Sequence, residues 1–163
     1  MAEDARSALA WLRSSDKLNQ DDKILVWGHS MGTGVAVRAL SDEVASLGSE
    51  NLGVSGLVLE APYNNFTDEF IHHTKMMTDN NLALRSLYKI TGSSLPDVLL
   101  KKFNMEFKSD ERIKNIPCPI MIIHARGDKK IPIRLGQKLY QAAVSGGNKN
   151  VQFFEFDDSF EHR

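Results

Sequence analysis

The pentapeptide Gly28-His29-Ser30-Met31-Gly32 constrains this chain more than any other stretch. It follows an apolar run, Ile24-Leu25-Val26-Trp27, that reads as a buried strand. It precedes Thr33-Gly34-Val35-Ala36-Val37-Arg38-Ala39-Leu40, which reads as a helix. A chain that passes from strand to helix so abruptly must turn sharply, and the residue at the apex takes a strained backbone conformation. Ser30 is that residue, and its hydroxyl should stand above the sheet. A G-x-S-x-G turn in this setting predicts that Gly28 and Gly32 are needed for want of a Cβ. His29 is then locked within the turn. The backbone N–H of Met31, at the start of the helix, is aimed where negative charge would develop on a reacting carbonyl oxygen.

The rest of the chain reads as alternating helix and strand. Ala5, Ala8, Leu9 and Leu12 recur at helical spacing within residues 4–15. The helix after Ser30 should run to about Ser46, with Val37, Leu40 and Val44 on one face and Gly48 to Asn51 ending it. Residues 54–61 read as the next strand, which Pro62 stops because proline cannot donate to a ladder. Strand, helix, strand at this spacing predicts a parallel pair with a right-handed crossover. Ile120 to Ala125 is a near-continuous apolar strand of the buried parallel kind. Leu135, Leu139, Ala142 and Ala143 then share a helical face, and Val151 to Phe156 is the last strand.

Between these lies a long excursion, residues 63–115, too long for a simple connection. Phe66 to Met77, Leu82 to Ile90 and Asp97 to Phe103 read as helices within it. A cap over the strand ends and a pair of packing helices are equally good readings. The expected fold class is therefore α/β, a mostly parallel sheet with flanking helices and a helical excursion, in one domain.

Composition narrows the partners. A chain of 163 residues can bury a real core, and its formal net charge of −1 gives no reason to expect nucleic acid or an anionic surface. No apolar run approaches the ~18 residues of a membrane span, and no secretory leader is visible. The single cysteine, Cys118, excludes an internal disulfide. Flanked by Pro117 and Pro119, it reads as a buried thiol rather than a nucleophile. No residues have metal-ligand spacing, since His72 and His73 are adjacent and do not share a helix face. No metal or other cofactor is expected.

A serine hydroxyl needs a general base, normally histidine, held by a carboxylate. In sheet hydrolases the chain order is serine, acid, histidine. Ser30, Asp128 and His162 follow that order, each after the carboxyl end of a predicted strand. Asp97 and Asp110 are rival acids. His162 is preferred among the histidines because His124 lies within a strand and His29 is locked in the turn, while His72 and His73 sit on a predicted helix and read as surface residues. Lys129-Lys130 reads as a solvated pair beside the acid, with contact to an anionic head group as the alternative. Asn65-Phe66-Thr67 is a glycosylation sequon, relevant only in a secretory lumen.

The ten residues Trp27 to Ala36 resemble the elbow of the lysophosphatidylserine lipase and monoacylglycerol lipase branch of the α/β-hydrolase domain-containing proteins. Leu57 to Tyr63 is similar to the next strand of that family. Cys118 to Ala125, Ile131-Pro132 and Leu135 to Tyr140 are similar to its acid-bearing strand and helix. Val151 to Phe153 and His162 fit its last strand and histidine. The resemblance implies Ser30 as nucleophile, Asp128 as the acid that orients the base, and His162 as base. It implies hydrolysis of lysophospholipid or monoacylglycerol esters. It also implies a full-length enzyme anchored in the endoplasmic reticulum membrane, its catalytic domain in the lumen.

Met31 stands where the family usually has leucine, and Arg126-Gly127 where it tends to have acidic residues. The chain begins at the helix before the nucleophile strand, so it is expected to match the C-terminal part of the family fold. The earlier strands, and the loop that gives a second oxyanion N–H, would lie outside it. The first strand should then be a bare, apolar sheet edge. A peptidase or thioesterase on the same scaffold, and a non-catalytic fragment or truncated isoform, remain alternatives.

Overall fold

The computed structural model describes residues 1–16, 18–19, 21–65, 108–157 and 162. Among them, four parallel strands form one sheet: β1 (Leu25–His29), β2 (Gly56–Glu60), β3 (Ile120–Ala125) and β4 (Val151–Phe156). They lie side by side in chain order. The predicted parallel pair is present, with Trp27 opposite Val58 and Val58 opposite Met121. The helices are α1 (Ala2–Ser14), α2 (Met31–Leu47), the single turn α3 (Ser109–Arg112) and α4 (Ile133–Ser145).

Side-chain alternation explains the layering. Leu57, Leu59, Ile120 and Ile122 point to one face and are almost wholly buried. Val37 and Leu40 of α2 and Leu139 and Ala143 of α4 complete the same core. Leu9 of α1 joins it, as do Ile113 and Ile116. Burying each large aliphatic side chain here contributes about 2 kcal/mol relative to exposure. α2 stops where Gly48 takes φ +86°, a conformation that favours glycine, and its N–H bonds the Val44 carbonyl at 3.0 Å.

The opposite face differs from the sequence reading. Ile24 to Trp27 reads as a buried strand, yet Leu25 is 67% exposed and Trp27 65% exposed. Met121, Phe154 and Phe156 are exposed as well. Among the described residues, the core helices all pack on the Leu57–Ile122 side, so this face has no layer over it. The other sequence expectation for β1 fits, because it is an edge strand.

The excursion is pinched at its base. Asp110 N–H donates to the Asn64 carbonyl at 2.9 Å, so the chain leaves and returns at neighbouring points. The three helices read between Phe66 and Phe103, and with them the cap, lie outside the described residues. Cys118 is buried, as expected, and burial pushes its thiol up to about 11.

α1 is fastened to α2 by a charge. Glu43 is 5% exposed and accepts from Arg6 Nε at 2.8 Å and from an Arg13 guanidinium nitrogen at 2.6 Å. Arg13 also donates to the Leu52 carbonyl at 2.7 Å. Burial alone would raise the Glu43 carboxyl, but the bonds from Arg13 and Arg6 outweigh it and hold it below its ordinary value. A lowered carboxyl contributes stability above the ordinary carboxylate range and loses it as pH falls through the lowered value. Glu43→Ala should therefore cost roughly 2 kcal/mol in urea unfolding at neutral pH, the scale of losing hydrogen bonds to a charged group whose partners stay partly solvated. The gap from wild type should shrink in acid.

Candidate active site

The turn from β1 to α2 stands on two local features. Ser30 has φ 51° and ψ −122°, and a non-glycine residue held there stores about 1–3 kcal/mol of strain. Its neighbours hold it in place: the Ser30 N–H donates to the Glu60 carbonyl at 2.9 Å. The Ser30 carbonyl accepts from the Thr33 amide at 3.0 Å and the Thr33 hydroxyl at 2.6 Å.

Gly28 is sterically required. A Cβ there would lie 2.7 Å from the Gly32 carbonyl oxygen and 2.9 Å from the Thr33 Cα, both backbone atoms. The matching expectation for Gly32 is corrected. Among the described residues, a Cβ on Gly32 would meet nothing within 4 Å beyond the backbone of its own helix, because that residue opens outward from the first turn of α2. The close approach is one-sided: Gly28 needs room for the backbone of Gly32, not the reverse.

Asp128 and His162 reach Ser30 from the other strand ends. His162 Nδ1 lies 2.7 Å from Asp128 Oδ2, and its Nε2 lies 3.1 Å from Ser30 Oγ. An ionised carboxylate only accepts, so Nδ1 carries the proton and Nε2 is left to accept from the Ser30 hydroxyl. The Asp128 side chain is fully buried, which alone would push its carboxyl up. Hydrogen-bonding groups on His124 and His162, together with the Ile131 amide, outweigh burial and hold it well below the usual carboxylate range. Its other oxygen, Oδ1, accepts from the amides of Lys130 at 2.8 Å and Ile131 at 2.9 Å. His124 Nε2 is 3.6 Å from Oδ2, a longer approach than the 2.7 Å of His162 Nδ1.

Ser30, Asp128 and His162 are thus together, although 132 positions separate the serine from the histidine. Such a chain of groups can pass a proton from hydroxyl to imidazole while the carboxylate balances the resulting charge. Met31 opens α2, where the first N–H groups of a helix have no intrahelical acceptor. The His29 ring stands 5.4 Å from the His162 ring, tilted by 41°. Asp110 is occupied elsewhere, accepting from Asn65 at 3.4 Å and from the Glu111 amide at 3.0 Å. Asp97, His72 and His73 lie outside the described residues. Lys129 and Lys130 are exposed. Among the described residues no cluster could hold a metal ion, and no helix is long and apolar enough to cross a membrane.

Sequence reasoning misses Thr33, which clamps the Ser30 carbonyl; its signal is a hydroxyl three residues on from the serine. It weighs His124 only as an alternative base, whereas the structure puts that ring beside Asp128, four residues on from it.

Substitutions at the turn should separate sterics from strain. Gly28→Ala should destabilise the fold by about 2 kcal/mol in thermal or urea melts, as overpacking does. Gly32→Ala should be neutral or stabilising by up to about 1 kcal/mol, the helix-propensity difference. Ser30→Gly should melt higher than Ser30→Ala, because glycine relieves the positive φ and alanine does not.

No family model matches the chain. Lysophosphatidylserine lipase ABHD12 from Danio rerio is 33% identical over 143 residues, 86% of this chain and 35% of that protein. The Macaca fascicularis protein of the same name is 30% identical across all of this chain and 38% of its own length. Human protein ABHD12B is 30% identical over 85% of this chain. The chain therefore spans less than two fifths of the length of these relatives. Among solved structures, the Pyrococcus furiosus esterase Pf2001 superposes with TM-score 0.63 at 22% identity, over 96% of this chain and 52% of that one. An alpha/beta fold family hydrolase from Bacillus anthracis str. Sterne gives TM-score 0.61 at 12% identity, over 99% of this chain and 67% of that one. At those identities the likeness speaks for the fold, and the sequence likeness speaks for the branch. The chain is an α/β-hydrolase-fold polypeptide related along its whole length to the ABHD12 lysophosphatidylserine lipases, and over 85% of it to ABHD12B.

Proposed function

We propose that this chain carries the nucleophile, acid and base of a serine hydrolase that cleaves lipid esters of the lysophosphatidylserine or monoacylglycerol type. The observation that carries this reading is the linked geometry of the site: Ser30 Oγ to His162 Nε2 at 3.1 Å and His162 Nδ1 to Asp128 Oδ2 at 2.7 Å. The substrate class is supported by the names of the relatives. By the family resemblance of the sequence, we further propose that the full-length protein sits in the endoplasmic reticulum membrane with this part in the lumen, the compartment in which the Asn65 sequon has meaning.

In this reading, Ser30 Oγ attacks the ester carbonyl carbon while His162 Nε2 takes the hydroxyl proton. The carbonyl oxygen gains the negative charge and faces the Met31 N–H. Collapse of the tetrahedral intermediate breaks the bond to the leaving oxygen. His162 returns its proton to that oxygen, so an alcohol departs and the acyl group stays on Ser30. Water then repeats the sequence with His162 again as base, freeing a carboxylic acid. Asp128 stays ionised throughout and steadies the imidazolium.

A peptidase or thioesterase would use the same groups with a different leaving atom. The acylaminoacyl peptidase of Pyrococcus horikoshii shares the fold, with TM-score 0.58. Substrate profiling of the purified enzyme separates these readings.

A fluorophosphonate probe tests the nucleophile. The wild-type chain should label, and Ser30→Ala should not. His162→Ala should slow labelling by at least about 10³-fold, since the members of such a unit act together. A folded wild-type sample that fails to label would remove the hydrolase reading for this chain and favour a non-catalytic fragment.

A further inference from the structure

His124 is a buried polar side chain that the proposed proton path does not use. It sits near the end of β3 with its side chain fully covered. Its Nε2 lies 2.8 Å from the Ile131 carbonyl. A carbonyl only accepts, so Nε2 carries the proton. Among the described residues, that leaves Nδ1 buried and without a hydrogen-bond partner. Nδ1 abuts Gly136 on α4, where any Cβ would collide with it. An apolar side chain would fill this volume without leaving a buried acceptor unsatisfied, which is costly. The imidazole is therefore explained by what its Nε2–H holds.

What it holds is the acid loop. The Ile131 carbonyl is tied to β3 by His124, while the Ile131 amide, 2.9 Å from Asp128 Oδ1, grips the carboxylate. Lys130 N–H adds a second bond to Oδ1 at 2.8 Å. With Oδ1 fixed, Oδ2 is left facing His162. The His124 Nε2–H also lies 3.6 Å from that second oxygen. Among the described residues, the ionisable side chains against Asp128 are the His124 and His162 rings, and the α4 residue against His124 is the uncharged Gly136.

We propose that His124 is a positioning residue: through the Ile131 carbonyl it fixes the Asp128–Ile131 loop, and so fixes the carboxylate oxygen that His162 bonds. The catalytic consequence rests on the hydrolase reading above, while the positioning itself is a matter of structure. Glutamine can place an N–H near where histidine places Nε2–H. Asparagine is too short to do so, and phenylalanine has no donor.

The test compares the full chain as wild type, His124→Gln, His124→Asn and His124→Phe. The Asp128 carboxyl carbon is titrated by 13C NMR, the His162 Nδ1–H proton is followed for protection from exchange, and fluorophosphonate labelling is timed. In His124→Phe and His124→Asn, the Asp128 midpoint should move to higher pH and the His162 proton should lose protection. Labelling should slow by about tenfold or more, as when an outer-shell partner of a working ligand is removed. His124→Gln should keep all three close to wild type. A merely space-filling role predicts the reverse, with phenylalanine leaving the Asp128 midpoint and the His162 proton unchanged, and that result would overturn the proposal. If His124→Phe does not fold, equal behaviour of the asparagine and glutamine variants overturns it instead. Absence of labelling in every sample, wild type included, would sink the hydrolase reading, and the two NMR measurements would still decide the role of His124.

Discussion

The hydrogen bond from the Ser30 amide to the Glu60 carbonyl, 2.9 Å long, carries the parallel ladder past the end of β1. Its counterparts run across the sheet: Ala61 N–H bonds the Ile123 carbonyl at 2.9 Å, and Arg126 N–H bonds the Phe156 carbonyl at 3.0 Å. Four strands therefore end in step, and the segment after each strand emerges at a common edge. Parallel pairing forces this result, because every strand in such a sheet presents its carboxyl end to the same side. Ser30 and the loop of Asp128 meet there because the ladder brings both strand ends to that edge, and the His162 side chain lies between them.

Two local costs sit at that edge, and each is offset by its surroundings. The positive φ of Ser30 is held by the ladder bond on one side and by Thr33 on the other. The same turn that strains the serine lifts its hydroxyl away from both strand and helix. The buried Asp128 charge is met by two amides on Oδ1 and by His162 on Oδ2, which is why it stays ionised despite burial. A carboxylate so saturated with donors cannot easily rotate, and His162 inherits that rigidity.

The two faces of the sheet are unlike. One carries the continuous core of Leu57, Leu59, Ile120 and Ile122 beneath α2 and α4. The other shows Leu25, Trp27, Met121, Phe154 and Phe156 to solvent among the described residues, although Trp27 Nε1–H donates to Glu60 at 3.1 Å. Parallel strands are usually apolar on both faces because both are usually covered. That composition made β1 read as buried, since periodicity cannot tell a covered apolar face from an uncovered one.

The order of elements, the turn at Gly28 to Gly32, and the candidates Ser30, Asp128 and His162 were all legible in the sequence. These are local signals: strand-like and helix-like runs, a glycine pattern, and acidic and imidazole groups after strand ends. Asp110 remained a rival until the fold placed it at the base of the excursion, bonded to Asn65 and to its own turn. Only the folded arrangement shows which side of each strand is covered, and that Gly28 but not Gly32 is pressed by backbone. It also brings His124 and Thr33 into contact with the site. Sequence spacing fixes which groups share a strand end, but only packing fixes the distances between side chains. The chemistry of Ser30, His162 and Asp128 depends on those distances.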